Sequence, residues 1–158
     1  MAAMKAQMTK TMEIPEEEKR LANQLCFAVY STAHAFTRAY KPILDRVGLT
    51  YPQYLVMLAL WEKTEQPVKA IGEQLDLDSG TLSPLLKRLE QNGLITRARD
   101  ARDERQVIVS LTPKGQSMRN EVNTIMTAIG EASGCTLEEM ATIRDLLKGL
   151  RSNLTNAL

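Results

Sequence analysis

Apolar residues recur at helical spacing in six stretches of the chain and alternate with polar ones in two. The first helical stretch follows Pro15, which suits a first helical position, and Glu16, Glu17 and Glu18 complement the positive end of a helix dipole. Its stripe is Leu21, Leu25, Ala28, Val29, Thr32, Ala35 and Phe36, and it stops near Gly48, with Pro42 expected to kink or interrupt the last turns. Thr50, Pro52 and Gln53 start a second, mostly buried helix carrying Tyr54, Leu55, Met57, Leu58 and Trp61. Val68, Ala70, Ile71 and Leu75 form a short helix, Asp76 to Asp78 a turn, and Thr81 to Asn92 a further helix stopped by Gly93. Leu94 to Arg99 and Gln106 to Leu111 alternate in strand fashion around the charged segment Asp100 to Arg105. Thr112 and Pro113 open a fifth helix with Met118, Val122, Ile125, Met126 and Ile129. Thr136 and Glu139 form a capping box for a sixth, striped by Leu137, Met140, Ile143, Leu147, Leu150 and Leu154.

Short helix, turn, helix and charged hairpin, in that order, predict a winged helix-turn-helix between Pro67 and Leu111, in a mainly α fold with a small β-hairpin wing. Such a unit reads DNA with the start of its second helix. Ser79, Gly80, Thr81 and Ser83 occupy that place, small enough for close approach, with helix-start amides suited to phosphate oxygens. Lys87 and Arg88 add phosphate contacts, while Pro84 breaks the local helical rule. In the wing, Arg102 or Arg105 can enter the adjacent minor groove, and Asp103 can orient the arginine.

A chain of 158 residues with 44% hydrophobic content has room for one domain. Residues 1–14 read as a mobile tail and 15–158 as a single domain. Within it, 15–48 and 112–158 provide dimerisation helices and 51–111 the winged helix-turn-helix. The two terminal blocks carry more apolar face than the remaining chain can cover, which homodimerisation remedies. The longest apolar run, Tyr54 to Trp61, is far short of the roughly 20 residues of a membrane span, and Met1 to Lys10 lacks a signal-peptide core, so a cytoplasmic protein is expected. One histidine, His34, and two cysteines argue against a metal site or a disulfide framework, and no cofactor is implied. The net charge of +1 says little about nucleic acid. Its distribution says more: Lys87, Arg88, Arg97, Arg99, Arg102 and Arg105 share one window, partly offset by Glu90, Asp100, Asp103 and Glu104.

Cys26 lies in the first apolar stripe, where a buried structural thiol is the plain alternative to a reactive one. Tyr30, four residues on, shares its face. Tyr40, fourteen residues on, returns to within roughly 40° of that face but about 21 Å along the helix. If the first helices of two subunits pair antiparallel, Tyr40 and Tyr51 of one can donate phenolic hydrogen bonds to the Cys26 thiolate of the other. Such bonds favour a thiolate, the species that attacks a peroxide oxygen. Cys135, behind Ser133 and Gly134 in a loop expected to be mobile and accessible, is either a free surface thiol or a resolving cysteine.

The segments Asn23-Gln24-Leu25-Cys26-Phe27-Ala28, Gly48-Leu49-Thr50-Tyr51-Pro52-Gln53-Tyr54-Leu55-Val56-Met57, Leu77-Asp78-Ser79-Gly80-Thr81-Leu82 and Asp103-Glu104-Arg105 together resemble the organic hydroperoxide resistance regulators of the MarR family. The resemblance runs from about Leu21 to Gly115. It implies a homodimeric repressor, not an enzyme, that binds double-stranded operator DNA and is released when organic hydroperoxide oxidises its sensing cysteine. On this sequence the resemblance places the sensing thiol at Cys26, the phenols that hold it at Tyr40 and Tyr51 with Tyr30 near by, the start of the recognition helix at Ser79 to Thr81, and the wing-tip arginine at Arg105 beside Asp103. Cys135 is similar to the second thiol of two-cysteine members and would close an intersubunit disulfide. Two other readings compete: a repressor answering to a non-covalent phenolic or aromatic ligand, and a thiol peroxidase, against which the lack of a His or Arg set near Cys26 counts.

Overall fold

The computed structural model describes residues 13–157. By internal packing they form two compact units, one ending at Arg38 and the other beginning at Ala39, with the division inside the first long helix. The expected tail lies largely outside the described residues.

The first helix is shorter than the sequence pattern predicts. Glu16–Lys19 and Leu21–Asn23 are short 3-10 turns, Gln24 is extended, and α1 runs from Leu25 to Asp45. The side-chain amide of Asn23 donates to the Glu17 carbonyl at 2.9 Å and that of Gln24 to the Glu18 carbonyl, so these carbonyls are bonded without a continuous helix. At the other end α1 passes through Pro42 and continues to Asp45, where the expected interruption does not occur. It closes one turn later at Gly48, whose φ of 73° suits a residue without Cβ.

The larger unit is built around α2, Tyr51–Glu62. This helix starts where expected, and with a capping box: Gln53 N–H donates to the Thr50 hydroxyl and Thr50 N–H to the Gln53 side chain. Val56, Met57, Leu60 and Trp61 of α2 are buried with Ile71, Leu82, Leu86, Leu89, Leu94, Ile95, Val109 and Ile125. Around them stand α3, Val68–Leu75, and α4, Ser79–Gln91. The wing strands are β2, Ile95–Arg99, and β3, Val107–Leu111. A further strand that periodicity does not signal, β1, Glu65–Pro67, pairs antiparallel with β3 through Gln66 opposite Val109, giving the order β1-β3-β2. Pro67 is tolerated because β1 is an edge strand.

The expected fifth helix is broken. A short α5, Pro113–Ser117, gives way to a 3-10 turn, Met118–Glu121, and then to α6, Val122–Ser133. Gly115 pins α5 in place: a Cβ there would stand 2.0 Å from the Leu94 carbonyl oxygen, and the Gly115 carbonyl accepts the Trp61 indole N–H at 2.9 Å. The Ser117 hydroxyl donates to the Lys114 carbonyl, a local bond that favours a tight turn over a continuous helix. The last helix, α7, Leu137–Thr155, starts from the expected Thr136 and Glu139 capping box and buries none of its residues fully. Leu137, Ile143, Leu146, Leu147 and Leu154 on α7, and Leu25, Val29 and Phe36 on α1, are exposed. Among the described residues no helix is long and apolar enough to cross a membrane.

Candidate DNA interface and thiol sites

The turn between α3 and α4 is tight because two positions allow it. A Cβ on Gly72 would meet the Leu77 carbonyl oxygen at 2.9 Å, and Asp76 adopts the left-handed conformation, with φ 56°. Asp78 then caps α4. Its carboxylate accepts the Thr81 backbone N–H at 2.8 Å and the Thr81 hydroxyl at 2.9 Å, and these bonds hold the Asp78 carboxyl below the usual carboxylate range. The helix therefore begins at Ser79, two residues earlier than its apolar pattern suggests. Asp78 is a site residue that the sequence reading assigned only to a turn, although Asp before Ser-Gly-Thr is a helix-start signal.

Ser79, Gly80, Thr81 and Ser83 are all exposed on the first turns of α4, as are Lys87 and Arg88 farther along. The two side-chain hydroxyls with internal partners act there as donors: Thr81 to Asp78, and Ser83 to the Ser79 carbonyl at 2.7 Å. Their oxygens keep acceptor capacity for base amino groups. Pro84 lies inside α4 without ending it. Having no N–H, it leaves the Gly80 carbonyl without the usual donor four residues on.

The wing tip is ordered by carboxylates. Asp100 accepts the Arg102 backbone N–H at 2.8 Å, and Asp103 accepts the Arg105 backbone N–H at 3.1 Å and the Gln106 side-chain amide at 3.1 Å. Asp103 thus holds Arg105 through its backbone N–H. A groove of about 1160 Å³ separates wing from reading helix and is lined by Lys69, Arg97 and Arg105, by Glu73, Asp76 and Asp78, and by Ser79, Ser83 and Gln106 among others. It brings Ser79, Ser83 and Arg105 together. Gly80, Thr81, Lys87, Arg88 and Asp103 lie on the same elements outside its lining. Lys69 and Gln106 join the site from segments the sequence had assigned no contact. The groove's charges are mixed, three basic side chains against three acidic ones, and Arg105 with the hydroxyls of Ser79 and Ser83 are the groups in it that suit a DNA backbone.

The phenols predicted to attend the thiol form a row. The rings of Tyr40 and Tyr51 have centroids 4.7 Å apart, Tyr40 and Tyr54 5.8 Å, and Tyr54 and Trp61 6.3 Å. Burial pushes all three phenols up, and for Tyr40 the neighbouring Tyr54 and Tyr51 add to it, reaching about 12. They stay protonated, and so remain hydrogen-bond donors, across the physiological range. Tyr54 is fully buried and joins the row from the core side.

Cys26 is the second residue of α1 and is exposed, unlike the buried structural thiol weighed as its alternative. One turn on, the exposed Tyr30 packs tilted against His34, with ring centroids 4.4 Å apart. Cys135 sits in the connection between α6 and α7. It follows Gly134 in the left-handed conformation, is half-buried, donates its N–H to the Ser133 hydroxyl at 3.2 Å and its thiol to the Ser133 carbonyl at 3.6 Å.

The family model for the transcriptional regulators SarA and Rot matches residues 38–122. The organic hydroperoxide resistance transcriptional regulator of Bacillus subtilis is 45% identical over 143 residues, which span 90% of this chain and 97% of that protein. Among solved structures, reduced AbfR bound to DNA aligns with a TM-score of 0.76 at 39% identity, covering 91% of this chain and 99% of the other. Disulfide-formed AbfR aligns at 0.61 with 43% identity, covering 85% and 95%. AbfR is a protein of Staphylococcus epidermidis. With a winged helix-turn-helix fold and relatives of this identity along nearly its whole length, the chain is a transcriptional regulator, not an enzyme, and belongs to the organic hydroperoxide resistance type of the MarR family.

Proposed function

We propose that this regulator is a homodimeric repressor that holds operator DNA in its reduced form and releases it when organic hydroperoxide oxidises Cys26. The observation that carries the reading is an exposed Cys26 near the start of α1 in a chain 45% identical to an organic hydroperoxide resistance regulator. AbfR, solved reduced on DNA, overoxidised on DNA and in a disulfide form, supports a switch in which the disulfide is the releasing state. The exposed apolar side chains of α1 and α7 are the surface a second copy covers.

Antiparallel pairing of two α1 helices brings Tyr40 and Tyr51 of one subunit to Cys26 of the other, with Tyr30 alongside. The thiolate attacks one peroxide oxygen, the O–O bond breaks, and an alkoxide leaves to be protonated to the alcohol. Sulfur, oxidised by two electrons, becomes sulfenic acid. The Cys135 thiolate of the partner then attacks that sulfur, an S–S bond forms, and the displaced hydroxide leaves as water. A disulfide needs Cα atoms within about 7 Å, so a larger separation in the reduced dimer would require the α6–α7 turn to move on oxidation, and with it the spacing of the two reading heads. On DNA, Ser79, Gly80, Thr81 and Ser83 face the major groove, Lys87 and Arg88 the phosphates, and Arg105, positioned by Asp103, the minor groove.

Gel-shift titration of the reduced protein with cumene hydroperoxide tests the reading. The wild type is expected to release DNA and Cys26→Ser to stay bound at every peroxide concentration. Release of the Cys26→Ser protein, or retention by a wild type whose Cys26 is oxidised, overturns it.

A further inference from the structure

Between the reading helix and the wing runs one side-chain bridge of unusual completeness. Glu90, in the last turn of α4, accepts three N–H groups of Arg97 on β2: the backbone N–H at 3.1 Å on one carboxylate oxygen, and Nε at 3.0 Å and Nη2 at 2.6 Å on the other. Because β2 is the outer strand in the order β1-β3-β2, its outward N–H groups have no strand to bond. The Glu90 carboxylate satisfies one of them and holds the guanidinium in the same grip.

We propose that Glu90 is a positioning residue for DNA binding, bracing the wing against the recognition helix through Arg97. The location fits a brace. Ile95, at the root of the hairpin, is buried in the core, and the tip begins at Asp100, so Arg97 lies halfway out. Arg97 lines the same groove as Arg105 and Ser79, so the brace fixes the width of the space that DNA enters. The Arg97 hydrogen bonds also hold the Glu90 carboxyl below the usual glutamate range, which keeps it charged wherever DNA binding is measured. Both side chains remain partly exposed, 30% for Arg97 and 36% for Glu90, so the pair orders the hairpin more than it stabilises the fold.

The proposal has a sign that charge alone does not share. A carboxylate beside DNA repels phosphate and ties up an arginine, so by simple electrostatics its removal strengthens binding. Removing a brace weakens it, because the wing must then be ordered at the expense of binding. The proposal rests on the reading of Arg105 as a minor-groove contact, and the test separates the two. Affinities of the full-length wild type, Glu90→Gln, Arg105→Ala and the double variant are measured by fluorescence anisotropy, using a duplex selected from a random pool by the wild-type protein. Glu90→Gln is expected to weaken binding about fivefold, the upper range for a partly exposed pair, with its unfolding midpoint unchanged. In the Arg105→Ala background the same change is expected to have no further effect. Unchanged or tighter binding by Glu90→Gln, or an equal loss with and without Arg105, overturns the brace. Full binding by Arg105→Ala removes the wing reading and the brace with it, whereas loss in Arg105→Ala but none in Glu90→Gln removes the brace alone.

Discussion

Tyr40 lies against Tyr51 with ring centroids 4.7 Å apart and planes inclined by 32°, so two of the three phenols expected to serve the thiol support each other. Replacing either by Phe keeps the stack and removes a donor. Tyr40→Phe and Tyr51→Phe are expected to fold normally and to slow sulfenic acid formation at Cys26 about tenfold each, measured as the rate of trapping by a dimedone probe. Unchanged rates in both would detach these phenols from the thiol.

The same row sets an alkaline limit to stability. Tyr40 releases its proton at about 12 when folded against an ordinary value of 10.0. Below pH 10 both folded and unfolded chains keep that proton and the folded state loses nothing. Between pH 10 and about 12 the unfolded chain gives up the proton first, so stability falls as pH rises through this window. Urea unfolding across that range is expected to show the decline, and Tyr40→Phe to make it shallower, Tyr51 and Tyr54 supplying the rest.

Gly115→Ala is expected to destabilise the fold by about 3 kcal/mol, visible in urea unfolding, because both sides of the 2.0 Å contact with Leu94 are backbone and neither can swing away. The displaced α5 would also stretch the Trp61 bond to the Gly115 carbonyl.

On DNA, Arg105→Ala and Lys87→Ala are expected to fail differently. Loss of Arg105 should weaken binding about tenfold and relax the preference for A·T pairs under the wing. Loss of Lys87 should weaken all sequences alike and lower the slope of log affinity against log salt by about 1. Anisotropy titrations at several salt concentrations distinguish the two.

Cys135→Ser separates the oxidation from its capture. The variant is expected to form the Cys26 sulfenic acid and to show no covalent dimer on a non-reducing gel after peroxide, while the wild type does. A covalent dimer in Cys135→Ser would assign the bond elsewhere.

Where residues signal through local chemistry, the sequence reads well. Thr50 with Gln53, and Thr136 with Glu139, announce their helices because a capping box is complete within four residues. The wing strands follow from alternation, and the winged helix-turn-helix from their order. What stays hidden depends on distant partners. Nothing local marks β1, whose Gln66 is buried because its amide donates to the Ala59 carbonyl at 2.7 Å and accepts from Gln74 at 2.7 Å. Glu90 reads as one more surface charge until the fold sets Arg97 beside it. The break at Gln24 and the 3-10 turn after Ser117 interrupt apolar stripes that continue unbroken in sequence, since periodicity does not register a side chain bonded back to a carbonyl. Asp78, by contrast, was readable as a cap.

Trp61 is the single tryptophan of the chain and stands at the end of the tyrosine row, 6.3 Å from Tyr54, with its indole N–H fixed to the Gly115 carbonyl. Light absorbed by the tyrosines passes to an indole at that range, and its emission shifts with the polarity around the ring and the state of its N–H bond. The regulator therefore carries its own optical probe: repacking of the phenols or of α5 during oxidation would change its fluorescence without any added label.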